Sequence, residues 1–102
     1  MAEAIHTLAR RKGWWETERN TGELLMLAVS ELSEALEDYR VGRMETTTDA
    51  DGKPIGFPTE LADTVIRVMD TAFAMGIDLQ AEIARKMTYN TTRPYRHGGK
   101  RA

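Results

Sequence analysis

The sequence predicts an all-α fold, a four-helix bundle completed by oligomerisation. Three observations predict it. Four segments repeat apolar residues every three or four positions, which lines up one helix face. No segment reads convincingly as a strand. The third helical segment carries an apolar arc wider than the roughly 100° stripe of a surface helix, and one chain of 102 residues is short of helices to cover it.

The first helix is expected from about Ala2 to Lys12, where Ile5, Leu8 and Ala9 share a face and Gly13 stops it. GWWETERNTG reads as a loop. Thr21 is the expected N-cap of the second helix, with Glu23 placed to favour the helix dipole and Gly42 ending the run near Tyr39 or Val41. The following GRMETTTDADGKPIGFP reads as a long loop in which DADGKPIG forms a turn or small hairpin. Pro58 suits the start of the third helix, expected from Thr59 to Met75 before Gly76. Asp78 caps a fourth helix reaching Asn90 or Thr92. This divides the chain into a helical domain over residues 1–92 and a basic tail over 93–102.

Composition narrows the function classes. With 41% hydrophobic and 29% charged residues, the chain has the balance of a single globular domain. A net charge of −2 gives no basic field to recruit a nucleic-acid polymer. No run approaches the roughly 20 apolar residues of a membrane span, and the N-terminus lacks the apolar stretch of a signal peptide. Cysteine is absent, which removes disulfides and thiolate zinc sites and suits a cytoplasmic location.

The acidic residues carry the chemistry. On the second helix, Leu24, Leu27, Glu31, Glu34 and Asp38 share one line, beside the main apolar stripe of Leu25, Ala28, Leu32, Leu36 and Tyr39. On the third, Glu60, Asp63, Arg67 and Asp70 form a line opposite the apolar arc of Leu61, Val65, Val68 and Ala72 with Ala62, Ile66, Met69 and Phe73. Neither Glu31 nor Glu34 has a basic partner one turn away, and like charges at that spacing cost roughly 0.2–0.5 kcal/mol per pair. Two readings stand at this point: solvated charge, or two facing walls of carboxylates that hold cations. Hard oxygen ligands without Cys favour Mg²⁺, or Mn²⁺, over zinc. A di-iron site is disfavoured, because only Glu3 and His6 have the Glu-x-x-His spacing.

E-x-x-E at Glu31 and Glu34, a loop, then E-x-x-D at Glu60 and Asp63 resembles the MazG-like all-α nucleoside triphosphate pyrophosphohydrolases, a group that takes in dCTP pyrophosphatases and dimeric dUTPases. KGWW, ELLMLAVSELSEALEDYR, ELADTVIRVMD and KMTYNTTRPYRHGGK extend the resemblance over most of the chain. The resemblance implies cleavage of an NTP or dNTP between the α and β phosphates to give NMP and pyrophosphate, with Mg²⁺ held by Glu31, Glu34, Glu60 and Asp63. Glu34 is the expected general base. The resemblance further implies that Lys86 contacts phosphate and Asn90 phosphate or sugar, and that His6 and Trp15 line the base pocket; Arg93 is a further candidate phosphate contact, or part of a solvated basic tail. It implies a homodimer or homotetramer.

Each of these residues has a plainer reading. Lys86 and Asn90 end the line Leu79, Ile83, and such a line also marks a helix leaving the core. Trp14 and Trp15 are as well explained by packing. Asp70 either orients Lys86 or a ligand water or is an exposed charge, and the latter is preferred. Asp49-Ala50-Asp51-Gly52 resembles the start of a calcium loop, but Lys53 and Pro54 fall where that loop needs a ligand and then its glycine, so a turn is expected. The functional alternative is a bundle that binds nucleotide or regulates without chemistry, or a helical interaction protein whose acidic face meets a basic partner and needs no metal.

Overall fold

The computed structural model describes residues 1–12 and 20–93. Among them are four helices and one small hairpin: α1 (Ala2–Arg11), α2 (Thr21–Val41), β1 (Thr47–Thr48), β2 (Pro54–Ile55), α3 (Phe57–Ala74) and α4 (Leu79–Thr91). The all-α expectation holds, and the hairpin foreseen in the long loop is the only sheet among the described residues. Trp14, Trp15 and the tail beyond Arg93 lie outside them.

The helix ends follow local chemistry, with two corrections. The N-cap of α2 is Asn20 rather than Thr21: its side-chain oxygen accepts the Glu23 backbone N–H at 3.1 Å. α3 begins at Phe57, two residues earlier than expected, with Pro58 inside the first turn, where no N–H is required. α2 ends as foreseen at Gly42, in the left-handed region at φ +83°. The Gly42 and Arg43 N–H groups turn back to Tyr39 and Asp38, closing a Schellman motif. Asp78 caps α4 through the Ala81 N–H at 3.0 Å.

The hairpin fixes how α3 leaves α2. Thr47 pairs with Ile55 and Thr48 with Pro54. Asp49 holds the turn by accepting the Asp51 and Lys53 N–H groups at 2.9 and 3.0 Å, so its carboxylate serves the backbone, as the turn reading expects. The Phe57 N–H bonds the Arg43 carbonyl at 2.9 Å, tying the first turn of α3 to the end of α2. Gly56, at φ +121°, lies against the Glu45 carbonyl with no room for a Cβ.

Packing inverts the expected pattern. Both α1 and α2 lie against α3. Yet the α3 residues with reduced exposure include Glu60, Asp63, Thr64, Arg67, Asp70 and Thr71, the polar line. Leu61, Val65 and Val68 on the apolar arc are exposed, Val65 at 50%. On α2 the residues with reduced exposure are Leu24, Leu27, Ala28, Glu31, Ala35 and Asp38; the leucine-led line was expected to turn both Glu31 and Glu34 inward, and it does so for Glu31 while Glu34 is exposed. The stripe of Leu25, Leu32, Leu36 and Tyr39 faces out. The buried apolar set within one chain is only Leu24, Ala35 and Ala72 among the described residues.

Candidate metal centre

Three of the four expected ligands converge. Carboxylate oxygens of Glu31, Glu60 and Asp63 lie within 4.8 Å of one another, all three residues being half-buried. Two adjacent turns of α3 supply Glu60 and Asp63, and the inward line of α2 supplies Glu31. The register that brings them together follows from the bond between Phe57 and Arg43 just before Glu60.

Glu34 joins this group through Glu60. It sits on α2 one turn beyond Glu31, more exposed than the other three. Burial, a hydrogen bond shared with Glu34, and the charges of Glu34, Asp63 and Glu31 together push the Glu60 carboxyl from 4.5 up to about 7. Its Oε2 is buried and has no hydrogen-bond partner among the described residues. A buried, unsatisfied carboxylate oxygen is costly unless a proton or cation meets it. The donor set therefore fits a hard divalent cation: all oxygen, and close enough for small rotamer adjustments to close on one ion.

Arg67 is the residue that sequence reasoning left without a role. Its Nη2 lies 3.7 Å from Glu31 Oε1, so a cation from α3 meets the group from the side. Its position on the Glu60–Asp63 line was the available signal. Asp38, also unassigned, pairs with Arg43 at 3.4 Å and belongs to the helix end.

His6 and Asp70 form a second polar contact on the same line of α3. His6 Nδ1 and Asp70 Oδ1 are 2.7 Å apart, and the His6 ring leans on Phe73 with centroids 5.0 Å apart. Asp70 is 5% exposed, which corrects its reading as a surface charge. It lies inside because α1 covers that end of α3. Seven residues separate Asp70 from Asp63, about 10 Å along a helix, so the His6–Asp70 contact lies about two turns of α3 from the carboxylates.

The cationic residues of α4 stand apart from the acids in this chain. α4 meets α3 and makes no contact with α2. Lys86 and Asn90 are exposed, not inward as the line Leu79, Ile83 suggested. Lys86 Nζ and the Arg93 guanidinium lie 5.4 and 5.5 Å from the centre of the Tyr89 ring. A cavity of about 760 Å³ is elsewhere again, between α1, the end of α3 and the start of α4. Met69, Phe73, Ile77, Leu79 and Ile83 dominate its lining and offer nothing to a phosphate. The carboxylates, not that cavity, mark the candidate site. No helix among the described residues is long and apolar enough to cross a membrane.

Compared with known proteins, the chain matches no family model, no curated protein and no solved structure.

Proposed function

We propose that this chain is a Mg²⁺-dependent nucleoside triphosphate pyrophosphohydrolase of the MazG-like kind, cleaving an NTP or dNTP between the α and β phosphates to NMP and pyrophosphate. The observation that carries the reading is the convergence of Glu31, Glu60 and Asp63, of which Glu60 keeps a buried oxygen without a hydrogen-bond partner among the described residues. Glu31, Glu60 and Asp63 would hold Mg²⁺ or Mn²⁺ there, which would supply charge neutralisation for the phosphates and a more acidic water.

The chain's own groups then have distinct tasks. Glu31, Glu60 and Asp63 hold the cation. Glu34, more exposed and hydrogen-bonded towards Glu60, accepts the proton of the attacking water. Water adds to the α phosphorus, the bond from that phosphorus to the α–β bridging oxygen breaks, and pyrophosphate leaves with the bond's electron pair and the bridging oxygen. Arg67 balances Glu31 when no substrate is present. Lys86, Asn90 and Arg93 are phosphate or sugar contacts in this reading, and His6 with Trp15 contacts the base. The working unit is a homodimer or homotetramer acting on the cytoplasmic nucleotide pool.

A second reading, a helical interaction module without chemistry, draws on the Arg67–Glu31 ion pair and on the exposed apolar faces. One assay separates the two. The protein is incubated with a panel of NTPs and dNTPs in Mg²⁺ and then in EDTA, and the products are identified. NMP with pyrophosphate, abolished by EDTA and in folded Asp63→Asn, supports the hydrolase. Orthophosphate release, or no turnover of any nucleotide, sinks it.

A further inference from the structure

Arg67 flanks the carboxylate group with a side chain suited to either of two partners. It lies one turn beyond Asp63 on the same line of α3, about 6 Å further along the helix. Its Nη2 is 3.7 Å from Glu31 Oε1. That separation is longer than the roughly 2.7–2.9 Å of a charge-assisted hydrogen bond, so charge rather than a tight bond holds this contact. The Arg67 side chain is 31% exposed and that of Glu31 18%, so the pair is partly open to solvent. A cavity of about 290 Å³ between α1 and α3 has Arg67 in its wall beside Ile5, Leu8 and Ile66, which leaves the long side chain room to turn.

We propose, resting on the hydrolase reading above, that Arg67 changes partner as the site fills: it pairs with Glu31 while the carboxylates hold no cation, and it binds a phosphate oxygen of the triphosphate once they do. Three features support the exchange. The first is competition. Glu31 cannot serve a guanidinium and a divalent cation equally, because the two cations repel across one carboxylate. The second is charge. Glu31, Glu34, Glu60 and Asp63 face a substrate that is itself densely anionic, and Arg67 is the basic side chain that the structure sets against them. Lys86 belongs to α4, which makes no contact with α2. The third is shape. A guanidinium carries its N–H donors in a planar fork that fits the oxygens of a phosphate as well as those of a carboxylate, so Arg67 can trade one for the other.

The exchange couples the two ligands. Arg67 is released only where the carboxylates hold a cation, so each ligand strengthens the hold on the other. The metal-free protein, with Arg67 engaged by Glu31, has a weak hold on nucleotide. A counter-ion that merely neutralised Glu31 would give no such coupling.

Binding measurements without turnover test it. Arg67→Gln and Arg67→Lys are made in the full chain, and Mg²⁺ is titrated by calorimetry. A panel of NTP and dNTP analogues, with a methylene group in place of the α–β bridging oxygen, is then titrated in saturating Mg²⁺. Arg67→Gln is expected to bind Mg²⁺ about tenfold more tightly, since no guanidinium competes for Glu31, and the best-bound analogue about tenfold more weakly. Arg67→Lys keeps the charge without the fork and is expected to fall between. Opposite signs for the two ligands are the signature. A role in packing weakens both, and a counter-ion confined to Glu31 strengthens Mg²⁺ without weakening the analogue; either result overturns the proposal. A second measurement uses the unsubstituted chain. The Arg67 side-chain Nε–H resonance, assigned through its own backbone, is expected to shift with Mg²⁺ and again with the analogue. A resonance that responds to neither overturns the exchange, even where the variants fail to fold. If the unsubstituted protein binds neither Mg²⁺ nor any analogue, the hydrolase reading fails and the exchange with it. If it binds both and Arg67→Gln leaves both affinities unchanged, the exchange alone fails.

Discussion

Arg67 on α3 reaches across to Glu31 on α2, Nη2 to Oε1 at 3.7 Å, and is the basic side chain seen to pair with the carboxylate group. Its side chain is about one-third exposed and that of Glu31 less so, so water screens the pair only in part. Arg67→Gln leaves four acids facing one another with less compensation. In metal-free buffer at neutral pH this variant is expected to lose about 1 kcal/mol of stability. Urea unfolding with and without Mg²⁺ checks it, since a cation in the group restores most of the loss. An equal loss in both conditions assigns Arg67 to packing alone.

Glu60 sets the pH dependence of the metal-free protein. Its carboxyl titrates near 7 when folded, against 4.5 ordinarily. Between these values the folded state holds a proton that the unfolded chain releases. Stability therefore falls as pH rises through that window and levels off above about 7. The melting temperature is expected to drop from pH 5 to about pH 8 in EDTA, and Glu60→Gln is expected to flatten the slope. Mg²⁺ competes with that proton, so its affinity should rise over the same range, with proton release visible by calorimetry in buffers of different ionisation enthalpy.

The four carboxylates should separate by kinetics. Glu34→Gln is expected to lower kcat about a hundredfold while the Mg²⁺ requirement shifts little, the behaviour of a lost base. Asp63→Asn and Glu31→Gln are expected to raise the Mg²⁺ concentration needed for half-maximal rate before they change anything else. Metal titrations of steady-state rate distinguish them. If Glu34→Gln behaves like Asp63→Asn, Glu34 is a ligand and the base lies elsewhere.

Gly56 is expected to tolerate no side chain. Its φ of +121° is open to glycine alone, and the Glu45 carbonyl fills the space a Cβ needs. Gly56→Ala should cost about 2–3 kcal/mol. It should also weaken Mg²⁺ binding, because this turn sets where Glu60 enters the groove. A variant with lowered stability and unchanged metal affinity would separate the hairpin from the site.

The sequence carried the helices and much of the acidic group because both are written in local spacing. Leu24, Leu27, Glu31 and Asp38 share a line whichever way the helix is turned, and Glu60 and Asp63 share another. It did not carry which line faces in. Apolar residues are expected inside, and α3 breaks that rule over its first part, where Leu61, Val65 and Val68 are exposed although Ala72, further along the same line, is buried. Nor did it carry His6 with Asp70, a pair 64 residues apart whose contact depends on how α1 docks. Arg67 was visible on its line, but its partner on α2 depends on a register that the hairpin sets. The polar side chains of α4 were placed inward by pattern alone, and that line needs a neighbour that the described residues do not provide.

That missing neighbour gives α4 a thermodynamic role. It has 13 residues and, among the described elements, contacts α3 alone. A helix of this length is marginal in water without tertiary support, and each backbone unit that is fixed costs about 1–2 kcal/mol of entropy. Any ligand gripped by Lys86 and Asn90 must therefore stabilise the helix that presents them. Its binding enthalpy will carry the signature of helix formation, growing more favourable on warming as heat capacity is lost, and its affinity will be set as much by the winding of thirteen residues as by the contacts of two.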